Sequence, residues 1–170
     1  MKKLIALFAA IVLVSGFTTV SAQVTATATG SATVITPIAI VNAGNMNFGN
    51  IAVSPTVPGT VLLTAAGVRT ATGGVTLPAV AGTVSVASFT VSGLASSTYA
   101  ITLPPSDYTI SGGGSTMIVN AFTSTPTGTG ALSASGSQTI TIGATLNVGA
   151  AQAAGTYTNA TGFPIKVNYN

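Results

Sequence analysis

Between Ser137 and Gly149 the chain reads SQTITIGATLNVG, with Ile140, Ile142, Ala144, Leu146 and Val148 at every second position. An extended chain turns successive side chains to opposite faces, so this spacing makes one face apolar and leaves the other to threonine, asparagine and glycine. That is a β-strand with one side on a core. The same period returns in TVLLTA from Thr60, in GVRTATG from Gly67 and in STYAITLP, where Tyr99, Ile101 and Leu103 share a face. It also returns in STMIVNAFTS, where Met117, Val119 and Ala121 alternate. In GTVSVASFTVSG the phase changes: Val84 and Val86 lie on one parity, Phe89 and Val91 on the other, which predicts a β-bulge near Ala87 and Ser88.

Helical periodicity is nearly absent. AAQAA, Ala150 to Ala154, is the one good helical pentamer, and five residues do not hold a helix in water, so it reads as a loop or single turn. Gly112 to Gly114 read as a flexible connection. Glycine, proline, serine and asparagine clusters separate the alternating segments, which predicts an all-β chain of about ten strands in two packed sheets. No fixed repeat is evident, which argues against a solenoid.

The N-terminus reads MKKLIALFAAIVLVSGFTTVSA: Lys2 and Lys3, an apolar run from Leu4 to Val14, then Val20-Ser21-Ala22. This is the pattern of a secretory signal peptide, and the run falls short of the ~20 residues a permanent span needs. The expected organisation is a signal peptide over 1–22 and one β-sandwich domain over 23–170, with no integral membrane span after cleavage. The protein is expected in the periplasm, at the cell surface or outside the cell.

Past the signal only Arg69, Asp107 and Lys166 carry charge, where about a quarter of an ordinary domain would. Two cations cannot form a phosphate-binding patch, so nucleic acid is excluded as a partner, and an anionic membrane surface is disfavoured. The lysines that usually blunt sheet edges are missing, which suits the chain to assembly. With no cysteine there is no disulfide, and stability falls to sheet packing. With no histidine, no cysteine and one carboxylate, the chain cannot assemble a carboxylate pair, a serine triad or a zinc or calcium site. No enzyme, cofactor or metal is expected.

Single residues have modest readings. Asp107 reads as a turn cap and Arg69 as a solvated surface cation. Tyr99, Tyr108, Tyr157 and Tyr169 are the residues a sugar-stacking platform would use, although two of them follow core-like alternation. The NAT at Asn159 matches a glycosylation acceptor, coincidental in a bacterial-looking chain.

Two end segments are the candidate functional elements. VTATATGSATVI, Val24 to Ile35, alternates without a charge, and the parity of Val24 and Val34 continues through Ile38 and Ile40. That continuity predicts a strand of the chain's own first sheet and leaves its earliest part, Val24, Ala26, Ala28 and Gly30, as the candidate strand-exchange segment. FPIKVNYN, with Phe163, Ile165, Val167 and Tyr169 inward, is the candidate closing strand.

MNFGNIAVSPTVPGTVLLTAAGVRTATGGVTL, FTVSGLASSTYAITLP and ATLNVGAAQAAGTYTNATGFPIKVNYN together resemble a family of small exported bacterial proteins known only as domain of unknown function forty-four-zero-two. The likeness runs from about Ile40 to Asn170. MNFGNI is also similar to the first-strand signature of chaperone-usher pilins and spore-coat-U-like proteins, and AGTYTNATGFPIKVNYN to their closing strand, with Tyr169 as the penultimate aromatic. That second resemblance implies an immunoglobulin-like sandwich completed by a neighbour's N-terminal strand, with self-assembly or a pilin-type chaperone as partner. The chain departs from it in having no cysteine pair and small side chains along Val24 to Gly30. The expected function is therefore a non-enzymatic exported structural or surface subunit. The alternative is a monomeric secreted glycan-binding module.

Overall fold

The computed structural model describes residues 22–170, so the signal-peptide reading falls almost wholly outside the described residues. The chain divides into Met1–Val34 and Ile35–Asn170. In the first unit the described residues, 22–34, form no strand and are exposed. The second unit holds fourteen strands. They are β1 (Ala39–Gly44), β2 (Asn47–Phe48), β3 (Ala52–Val53), β4 (Gly59–Leu63), β5 (Arg69–Gly73), β6 (Val75–Thr76) and β7 (Val84–Ser85). They continue with β8 (Ala87–Ser92), β9 (Thr98–Thr102), β10 (Tyr108–Gly112), β11 (Ser115–Thr125), β12 (Thr129–Ala131), β13 (Ser137–Val148) and β14 (Lys166–Tyr169).

The all-β expectation holds. The strands exceed the expected number because runs such as NMNFGNIAV and GTVSVASFTVSG are each divided between short ribbons or sheets. The arrangement is also more divided than two sheets: a seven-stranded sheet, the three-stranded β12-β9-β14, and the two-stranded β2-β7 and β3-β6.

β13, the strand with the cleanest alternation, is the axis of the fold. Its residues Ile140, Ile142, Ala144, Leu146 and Val148 are all buried, as the period of two requires. One edge of β13 carries β8 along Ser137–Ile142 and then β4 along Ala144–Val148, while the other carries β11. Gly143 marks the hand-over, where a Cβ would lie 2.3 Å from the Leu63 carbonyl oxygen and 2.5 Å from the Ala65 nitrogen. Any side chain there would push β4 off the sheet.

Each half of β13 has its own core. Ala144, Leu146 and Val148 pack with Val61, Leu63, Met117 and Val119 under the two short ribbons. Ile140 and Ile142 pack with Ala87, Val91, Tyr99, Ile101 and Leu132 under the three-stranded sheet.

A bulge and a change of sheet correct two parity readings. In β11, Asn120 faces Thr145 but Thr123 faces Gly143, and Ala121 takes a φ of 49°. Ala121 is therefore exposed, and Phe122 and Ser124 turn inward instead. The slip near Ala87 is not a bulge in its own strand. Val84 belongs to β7, paired with β2, and the chain passes to β8 with Val86 and Ala87 both inward, each toward a different core. The bulge lies on the partner β1, between Asn42 and Gly44. The three glycines are likewise tighter than a flexible loop: Gly113 and Gly114, at φ of 58° and 75°, form the two-residue turn between Gly112 and Ser115.

Candidate strand-exchange site

The N-terminal stretch is not a strand of the chain's own sheet. Residues 22–38 carry no strand, 22–37 are exposed, and Val24 and Val34 are 91% and 97% exposed. The physical reason lies in its inward positions. Ala26, Ala28, Gly30 and Ala32 offer little apolar area, and each missing methylene forgoes about 0.8 kcal/mol of burial. Ordering those residues would cost more backbone entropy than such burial returns. Docking begins where the side chains become large: Ile38 and Ile40 reach the core under the three-stranded sheet, and β1 starts at Ala39.

The closing strand follows its predicted alternation. Phe163, Ile165, Val167 and Tyr169 are all half-buried against that same core. Its ladder is shorter than the alternation: β14 begins at Lys166, opposite Thr102. Continued in register, Pro164 would face Pro104, and neither has an N–H to donate. Phe163 is held instead by rings, edge-on to Tyr108 at 5.6 Å and tilted on Phe122 at 4.9 Å between centroids.

Antiparallel ladders fix which backbone groups point out of the sheet. The Asn170 N–H donates to the Thr98 carbonyl, so the alternate residues Asn168 and Lys166 face β9, and Val167 and Tyr169 turn their N–H and C=O groups away from it. On the other sheet the Gly93 N–H donates to the Gly136 carbonyl at 2.9 Å. The same alternation directs Val91 toward β13, Thr90 and Ser92 toward β1, and Ile40 of β1 outward. β1 and β14 thus present unpaired edges over one core, and they approach within 8 Å between Cα atoms. One side-chain clasp joins them: the Tyr169 hydroxyl donates to the Thr36 carbonyl at 2.9 Å and accepts the Leu94 N–H at 2.6 Å.

Two other edges, those of β10 and β12, are engaged by their own chain, while β5 pairs only with β4. On β10, Ser111 exchanges both backbone hydrogen bonds with Thr158, and the Asn159 side-chain amide donates to the Thr109 carbonyl at 2.8 Å. On β12, the outward Ala131 N–H donates to Gln138 Oε1 at 2.9 Å, the same oxygen that accepts the Tyr99 hydroxyl at 2.6 Å.

The residues considered singly turn out to be internal fittings. Arg69 is not a solvated cation: its guanidinium is half-buried and donates to the carbonyls of Phe48 and Asn50, binding β5 to the ribbon above it. Asp107 does not cap its turn; it accepts from the Asn120 amide at 3.0 Å, and Asn120 in turn accepts from Asn147 at 3.0 Å, a polar chain across β11 and β13. All four tyrosine hydroxyls are engaged within the fold, Tyr108 on the Asn159 carbonyl and Tyr157 on the Ala153 carbonyl. Burial pushes the Tyr99 hydroxyl above its ordinary pKa, and burial does the same at Tyr108 against a smaller opposing hydrogen bond from the Gly162 backbone. Two open depressions, of about 470 and 490 Å³, have no charged residue in their linings.

Sequence reasoning picked out Val167 and Tyr169 but missed their counterparts Ile38 and Ile40 as an edge, because parity alone does not say which strand lacks a neighbour. Neither a curated protein nor a solved structure matches the chain. A family model does match it over residues 38–169, from the threshold of β1 to the end of β14, and the chain belongs to that family, described as Domain of unknown function (DUF4402).

Proposed function

We propose that the protein is a non-enzymatic, exported structural or surface subunit that assembles by β-strand addition, with Val24 to Gly30 as the donated strand. The observation that carries this reading is the segment itself: uncharged, alternating, exposed and in no strand of its own chain. A strand of threonines and alanines gains little by folding onto its own domain. An unpaired edge on another copy supplies main-chain hydrogen bonds whatever the size of the side chains. The near-absence of charge supports the same reading, since nothing along the segment repels a second sheet. The inward use of all four tyrosine hydroxyls speaks for structural over sugar-binding roles.

Deleting Gln23 to Ser31 tests the proposal. The expected outcome is a folded protein, with the wild-type β spectrum by circular dichroism, that elutes as a monomer where the wild type elutes as an assembly. Unchanged assemblies after the deletion would refute it.

A further inference from the structure

We propose that Thr25, Thr27, Thr29, Ser31 and Thr33 are acceptors for O-linked sugars, transferred from a diphosphate-activated sugar donor. Of the functional reading above, this modification needs only export.

Three observations meet on the segment. Hydroxyls stand at every second position from Thr25 to Thr33, and the positions between them hold only alanine and glycine, so no bulky neighbour shields the oxygens. The composition, threonine and serine ahead of Pro37, is that of O-glycosylated stalks. Residues 22–37 are exposed, and among the described residues neither the backbone nor the side chains of 24–34 take part in a hydrogen bond. A transferase grips its acceptor as an extended peptide, and here no structure has to open first. Hydroxyls elsewhere differ. Thr70, Thr109 and Thr139 are also exposed, but their backbones are held in ladders opposite Leu62, Ile118 and Thr90. In the loops, the Ser54, Thr64 and Ser133 hydroxyls accept N–H groups of their own turns.

The third observation is the lack of charge. From Val24 to Val68 the sequence holds no charged residue, and Arg69, the first beyond, turns its guanidinium into the fold. An exposed, uncharged, alternating segment is prone to cross-β stacking, and such segments are commonly guarded by charges. Sugars guard by bulk and hydration instead. Acceptors of one parity put every sugar on one face of the extended segment. That face can no longer close against a second sheet, while the opposite face, with Val24, Ala26, Ala28 and Gly30, stays clear, as do both backbone edges.

The transfer is a substitution at the anomeric carbon of the sugar. The side-chain oxygen forms the new C–O bond, and the bond from that carbon to the diphosphate breaks. The diphosphate leaves with the electron pair, the hydroxyl proton passes to a base of the transferase, and nothing is oxidised or reduced. The donor diphosphate is carried either by a nucleoside or by a membrane lipid.

Mass spectrometry of the full chain, exported by its own cells, tests the proposal. Beyond residue 22 trypsin cuts only after Arg69 and Lys166, so the segment and the ladder threonines fall in different peptides. We expect sugar-sized mass increments on the peptide ending at Arg69, placed on Thr25 to Thr33 by electron-transfer fragmentation, and none on Thr70 to Lys166. The combined variant Thr25→Ala, Thr27→Ala, Thr29→Ala, Ser31→Ala and Thr33→Ala should lose every increment and keep the wild-type β spectrum, since 22–38 form no strand. A wild type of unmodified mass, increments that persist in the five-alanine variant, or sugar on Thr70 to Lys166 overturns the proposal. A chain lacking residues 1–22 and so kept inside the cell identifies the donor: retained increments assign a nucleoside diphosphate, and their loss assigns the lipid carrier. Size-exclusion chromatography separates this proposal from strand addition. A glycosylated wild type that stays monomeric at every concentration sinks strand addition alone, and an unmodified wild type that assembles sinks glycosylation alone.

Discussion

The two halves of β13 look alike in sequence and are finished differently. Ala144 to Val148 lie in a closed core, where two ribbons, the β4–β5 hairpin and the Arg69 guanidinium cover the apolar face. Ser137 to Ile142 lie under a three-stranded sheet that ends in an unpaired edge, and the residues nearest that edge stay half-exposed. The difference does not come from hydrophobicity, since isoleucines at 38, 40 and 165 are as apolar as anything in the closed half. It comes from the number of strands available on each side. A core can be well packed and still lack a wall.

The largest test of this contrast compares substitutions in the closed core and at the open edge. Leu63→Ala, fully buried, should cost about 2–5 kcal/mol in urea unfolding, and Ile40→Ala less than half as much because part of its surface is already wet. Equal losses would mean that the edge is not open in solution. Gly143→Ala should cost about 1–3 kcal/mol by forcing Leu63 and Ala65 away from β13. Because Gly143 joins the halves, its thermal transition should broaden as the two cores lose their common strand. Arg69→Met should cost about 1–3 kcal/mol, the desolvation left by two carbonyls without a donor. Its effect belongs to the closed half, so hydrogen exchange should quicken at Phe48 and Asn50 and stay unchanged on β9.

The smallest effect is a pH dependence on the open half. Burial raises the folded-state pKa of Tyr99 above 10.0, so the native chain binds that proton more tightly than the unfolded one. The contribution is complete below pH 10.0 and is lost as pH rises through the folded-state value. Tyr99→Phe should therefore flatten the fall in stability above that pH. It should not abolish the fall, because burial shifts Tyr108 in the same direction.

Much of this architecture is legible without coordinates. β13 can be read residue by residue, because alternation over twelve positions admits one solution. The inward faces of β9 and β14 are read as easily. Parity fails at Ala121 and across Val86 and Ala87, where one extra residue or a change of sheet reverses the pattern, and neither event has a local signature beyond the slip itself. Arg69 is opaque for a related reason: its partners are carbonyls 21 and 19 residues away, and a backbone acceptor leaves no trace in residue identity.

The sequence alone determined the fold class and the family, because strand periodicity is local and the family's motifs are written in residue order. It also marked Val24 to Gly30 as a segment with the pattern of a strand and too little side chain to hold one. Only the tertiary structure decided that this segment forms no strand and that β1 and β14 are each paired along one edge alone. Whether an edge is paired depends on which distant segments have already taken the other places in the sheet, and that competition is settled by the whole fold.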